Sequence, residues 1–142
     1  MQKLLLPGNL DSLSAIGKFV NDAASEAGLD KKIAYHLRLA VDEIATNIII
    51  HGYEENGQSG DVLVMSEKNL EFLIITLEDT SPPFDPRTLL SRPEHIDKPA
   101  EDRPIGGLGI YLTVENVDRF DYQFVDNRNK NIFMVKLPGS KE

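Results

Sequence analysis

A chain of 142 residues, 41% apolar and 27% charged, fits one soluble globular domain with a real core and excludes a disordered one. Fifteen Lys and Arg against 23 Asp and Glu give a net charge of -8, which opposes a broad polyanion-binding surface and hence a nucleic-acid partner, though not one small anion held by backbone N–H groups. The absence of cysteine excludes disulfides, Cys-based zinc sites, iron–sulfur clusters and a thiol nucleophile, and fits the cytoplasm.

Lys3 to Leu6 reads as a short strand stopped by Pro7-Gly8. The run is too short for a signal-peptide core, and the longest apolar runs, 48–50 and 72–75, are too short to cross a bilayer. Asn9 or Asp11 can cap a helix carrying Leu10, Leu13, Ile16, Phe19 and Val20, which ends near Ala27-Gly28. Asp30 caps a second helix, with Ile33, Leu37, Ala40, Val41, Ile44 and Ile48 at helical period, stopping around 51–53. Residues 54–60 form a polar turn. Strands at about 61–67 and 70–78, joined at Lys68-Asn69, make a hairpin. From Asp79 to Pro104 the chain carries six of its eight prolines, which predicts a long loop with at most a short helix around 86–91. A glycine cluster and a helix at about 110–117 follow. Two last strands are expected near 119–125 and 131–137, with a turn at 126–129. This order predicts one α+β domain over residues 1–142: a two-layer sandwich with helices on one face of a mixed, mostly antiparallel sheet.

Three groups carry chemical content. Glu43 and Asn47 lie four apart on the flank of the second helix's apolar stripe. Such a carboxylate can take a proton and such an amide oxygen can ligate a hard cation, but a solvated Glu beside a boundary Asn has the same spacing. Asp79, at a strand end entering Thr80-Ser81-Pro82-Pro83-Phe84-Asp85-Pro86, can accept from an exocyclic amine or merely cap the turn. Gly106-Gly107-Leu108-Gly109 before a helix can admit a phosphate to free backbone N–H groups, or simply end a flexible loop. No Lys-Ser or Lys-Thr follows the last glycine, so this is not a Walker-type loop. The histidines at 36, 51 and 95 have no ligand spacing.

Taken together and in order, these segments resemble the anti-sigma factor serine/threonine kinases of the GHKL ATPase superfamily. Leu39 to Asn47, continuing into His51-Gly52-Tyr53, is similar to the N-box. Asp79 to Pro86 is similar to the first glycine box and Gly106 to Leu112 to the second. The resemblance implies a Bergerat ATP-binding sandwich with an ATP lid at about 85–105. It implies Glu43 as general base, and Asn47 as ligand to a Mg²⁺ that bridges the ATP phosphates. Asp79 would bind the adenine amine, with Ser81, Gly106, Gly107, Leu108 and Gly109 around the nucleotide. The family's first box usually has glycine where this chain has Ser81, and a left-handed backbone there suits serine less well.

The implied activity is phosphorylation of a STAS-domain (anti-anti-sigma) protein in a bacterial partner switch, with capture of a sigma factor and a homodimer; if a dimer forms, residues 2–27 are expected to supply part of its interface. Two other readings remain at this point: an ATP-gated binding module with little kinase activity, and a detached histidine kinase ATP domain. No nucleic acid or membrane is implied.

Overall fold

In the computed structural model, which describes residues 1–91 and 117–139, five strands form one sheet in the order β1-β2-β3-β5-β4, every neighbouring pair antiparallel. The strands are β1 (Gln2–Pro7), β2 (Asp61–Lys68), β3 (Phe72–Asp79), β4 (Arg119–Val125) and β5 (Arg128–Lys136). Two helices, α1 (Leu13–Glu26) and α2 (Lys31–Asn47), complete the expected α+β fold, and the sheet, expected to be mixed and mostly antiparallel, is antiparallel throughout the described residues.

Alternation along the strands decides which sheet face is buried. Val62 and Val64 of β2, Leu73, Ile75 and Leu77 of β3, and Phe133 and Val135 of β5 form one apolar surface. Ile16 and Val20 of α1 and Leu37, Val41, Ile44 and Ile48 from the α2 segment belong to the same core. At about 25 cal/mol per Å² of apolar surface removed from water, this layer contact is the main stabilising term. The opposite face, with Leu5, Leu63, Met65, Ile74 and Met134, is covered by neither helix, and its side chains are partly buried or exposed.

Asp30 does cap α2: its carboxylate accepts from the Ile33 N–H at 2.9 Å. Ile33 itself is exposed, because it sits in the first turn, beyond the reach of the core. Asn9 caps a short 3-10 turn, Leu10–Ser12, rather than the long helix. Its side chain accepts from the Asp11 N–H, and α1 then starts without a side-chain cap. After Asn47 the helix widens into a π-helical turn, Ile48–Tyr53, so regular α-helix ends sooner than expected. In the first hairpin, Asn69 Oδ1 accepts from the N–H groups of Glu71 and Phe72, which sets the start of β3 two residues later than expected.

The last hairpin corrects the expected register. Only Asp126 and Asn127 form its turn, both in the left-handed region at φ 55° and 61°. Two such residues match the twist of the flanking strands, and Asp and Asn tolerate the conformation. Strand β5 therefore starts at Arg128 rather than 131, and Asn129 joins Asn131 as a strand residue facing the core side.

The short helix expected around 86–91 is a 3-10 turn, Pro86–Ser91. The expected helix at 110–117 and most of the expected lid lie outside the described residues.

Candidate functional site

Where β3 and β5 run out from under α2, the core side turns polar. Register places Asp79 opposite Asn129 and Leu77 opposite Asn131. Above them, the end of α2 and its π-helical turn supply Ile44, Asn47, Ile48, His51 and Gly52. The segment after β3 adds Ser81 to Phe84 and Pro86. Together they enclose a cavity of about 400 Å³, within the range of small-molecule sites. Apolar side chains dominate its walls, with a few polar groups converging on it.

Those polar groups are unusual. Among the described residues, three buried side-chain atoms have no hydrogen-bond partner: Asn47 Nδ2, Asp79 Oδ2 and Asn131 Oδ1. All three residues line this one cavity. A buried polar atom without a partner costs about 1–3 kcal/mol, so three at one place mark a surface shaped for a polar ligand.

Asp79 is only 1% exposed. Its Oδ1 accepts from the Ser81 N–H at 2.9 Å, from the Ser81 hydroxyl and from Asn129 Nδ2 at 3.0 Å. Burial pushes its carboxyl above the ordinary carboxylate range, and these bonds offset only part of that. Oδ2 is left as a strong, desolvated acceptor.

Ser81 is not left-handed, so the backbone strain expected of serine at this position does not arise. Its side chain lies against Gly52, where a Cβ would come within 2.6 Å of the Ser81 Oγ. The glycine on the helical wall makes room for the serine hydroxyl that holds Asp79.

Glu43 and Asn47 lie one helical turn apart, both half-buried. Glu43 does not line the cavity, whereas Asn47 does. Burial raises the Glu43 carboxyl above its ordinary value, partly opposed by His51. His51 in turn pairs with Glu55 at 2.9 Å. Gly106, Gly107, Leu108 and Gly109 lie outside the described residues.

Three residues of this region escape a reading of the sequence motifs, Tyr122, Asn129 and Asn131, and the motif that contains Tyr53 does not give its structural part. Tyr53 is buried; its hydroxyl donates to the Asp61 carbonyl at 2.8 Å and accepts from the Thr80 N–H at 2.9 Å, tying the π-helical turn to the end of β3. The asparagines had a legible signal. Asn129, Asn131, Phe133 and Val135 share one parity, so once the strand starts at 128 two polar residues fall on the core face.

Residues 6–136 match the profile of the histidine kinase-like ATPase domain. The chain is 28% identical over 137 residues to the serine-protein kinase RsbW of Bacillus cereus (strain AH187), covering 94% of this chain and 82% of the relative. The figures are the same for the serine-protein kinase RsbW of Bacillus anthracis and of Bacillus mycoides (strain KBAB4). Among solved structures, the histidine kinase domain from the Erythrobacter litoralis EL346 blue-light activated histidine kinase aligns with a TM-score of 0.56 at 15% identity. That alignment covers 88% of this chain and 60% of that one, and at such identity it concerns the fold alone.

Proposed function

This chain belongs to the histidine kinase-like ATPase family, and from that premise we propose that it is an ATP-dependent serine/threonine protein kinase of a bacterial partner switch, acting on a STAS-domain protein in the cytoplasm. The observation that carries the reading is the convergence of three unpartnered buried polar atoms on one cavity. The likeness to the serine-protein kinases RsbW supports the choice of protein serine as acceptor, and capture of a sigma factor and a homodimer belong to the same reading.

In this reading Asp79 Oδ2 accepts from the adenine amine, with Asn131 beside it and apolar walls around the base. Ser81 fixes the Asp79 carboxylate. Asn47 turns its amide oxygen to Mg²⁺, an ion that prefers phosphate and water oxygens to an all-protein cage. Asn47 is the one protein ligand assigned to the ion, which would be held mainly through the nucleotide. Bound Mg²⁺ would neutralise the charge that develops on the transferred phosphoryl group. The segment 85–105, with Gly106, Gly107, Leu108 and Gly109, would close over the phosphates.

Glu43 is assigned the proton of the attacking hydroxyl, and its raised carboxyl makes it a better base than an exposed glutamate. Transfer then requires ionised Glu43, so the rate rises with pH, on a limb displaced above the ordinary glutamate range. Incubation with Mg-ATP and a STAS protein should yield phosphoserine or phosphothreonine. Glu43→Ala should abolish transfer while nucleotide binding stays within about twofold. Phosphorylation that persists in that variant removes Glu43 from the role.

The absence of Glu43 from the cavity wall favours one alternative, an ATP-gated binding module. Calorimetry showing ATP-dependent capture of the partner without phosphate transfer would select it.

A further inference from the structure

Asn129 has no place in the motifs that carry the family resemblance, yet it is the most fully bonded side chain around the cavity. It is 3% exposed. Its Nδ2 donates to Asp79 Oδ1 at 3.0 Å and to the Ser81 carbonyl at 2.9 Å, with a longer contact to the Pro82 carbonyl at 3.3 Å. Its Oδ1 accepts from the Phe84 N–H at 3.2 Å and from the Tyr122 hydroxyl. The Tyr122 hydroxyl also lies 3.2 Å from the Phe84 N–H.

One amide thus bonds both the carboxylate and three residues of the turn that follows it, Ser81, Pro82 and Phe84. An amide has two donors and one acceptor oxygen, and here both kinds are engaged. The Phe84 N–H, which only donates, and the Ser81 carbonyl, which only accepts, fix which end of the amide points where, and the Tyr122 hydroxyl adds a second donor that holds Oδ1 in place and leaves Nδ2 facing Asp79. With Nδ2 and the two Ser81 donors all on Oδ1, the carboxylate cannot rotate without losing three bonds. Oδ2 is thereby held toward the cavity.

We propose that Asn129 and Tyr122 are positioning residues for nucleotide selection: they lock Asp79 so that its free oxygen reads an exocyclic amine on the base. This rests on the reading of the cavity as an adenine nucleotide site. Neither residue touches the reacting phosphate, so their effect belongs to base recognition rather than to transfer.

The test compares two ligands in Mg²⁺ buffer, ATP and purine riboside triphosphate, which lacks the exocyclic amine. Calorimetry on the wild-type chain should give ATP an advantage of roughly tenfold, typical of a buried hydrogen bond to a charged acceptor. Asn129→Ala should bring that ratio to within about twofold of unity, through lost ATP affinity. Tyr122→Phe, at a partly exposed strand position, should lower it about threefold and leave the fold intact. If Asn129→Ala does not fold, Tyr122→Phe decides alone. A ratio unchanged in the variants overturns the proposal and leaves the nucleotide reading standing. Equal weakening of both ligands also overturns it, since it marks a merely structural role. If the wild-type chain binds neither ligand, the nucleotide reading itself fails, and the proposal with it.

Discussion

At Asp79, stability and binding pull in opposite directions. Its carboxyl is raised by burial, so the folded state holds the proton more tightly than the unfolded one. The stability this contributes is complete below the unfolded pKa and is lost as pH rises through the folded value. Asp79→Asn keeps an oxygen for the Ser81 and Asn129 donors and removes the buried charge. It should have a higher urea midpoint than wild type at pH 7, with the gap closing as the pH falls through the Asp79 range. ATP affinity should fall by roughly tenfold or more in the same protein. A midpoint lowered at pH 7 contradicts this balance. The neighbouring Gly52–Ser81 contact makes a second claim. Gly52→Ala drives a Cβ into the serine and should cost about 1–3 kcal/mol, as overpacking does. In a Ser81→Gly background the cost should drop below ~0.5 kcal/mol, and a double-mutant cycle in urea measures the coupling.

At the scale of elements, the join between the π-helical turn and β3 depends on one hydroxyl. Tyr53→Phe leaves both the Asp61 carbonyl and the Thr80 N–H short of a partner. It should destabilise the fold by about 1–3 kcal/mol in chemical denaturation; a loss under 0.5 kcal/mol would mean water replaces the hydroxyl. Periodicity made the elements legible: the stripe from Leu37 to Ile48 and the alternation in β2 and β3 are strong local signals, and Asp30 announces α2 by its capping chemistry. The end of the last turn was hidden. The stretch Asp126-Asn127-Arg128-Asn129, with three turn formers, does not say which two residues will adopt positive φ, and the choice shifts a strand by three residues. That shift concealed Asn129. The Asp79–Ser81 contact is local and so within reach of a motif, whereas Asn129, which also holds Asp79, comes from a strand 50 residues away.

Across the whole molecule, the cavity floor is a seam. Hairpin β2–β3 supplies Asp79 and hairpin β4–β5 supplies Asn129 and Asn131, and each hairpin closes a short loop of its own. Joining β3 to β5 closes a much longer one, an entropic cost met only when the strands pair. The seam therefore has a kinetic meaning. Local hairpins form on the microsecond scale, and the floor exists only after the slower, long-range pairing. On the function proposed above, a nucleotide recognises the finished seam and has no foothold on either hairpin alone. Mg-ATP should then slow unfolding in proportion to its occupancy, about a hundredfold at 100 times its dissociation constant, while the refolding limb of the chevron stays where it was. Stopped-flow kinetics with and without nucleotide would separate the two limbs. In such a protein the ligand acts as a brake on unfolding rather than a template for folding.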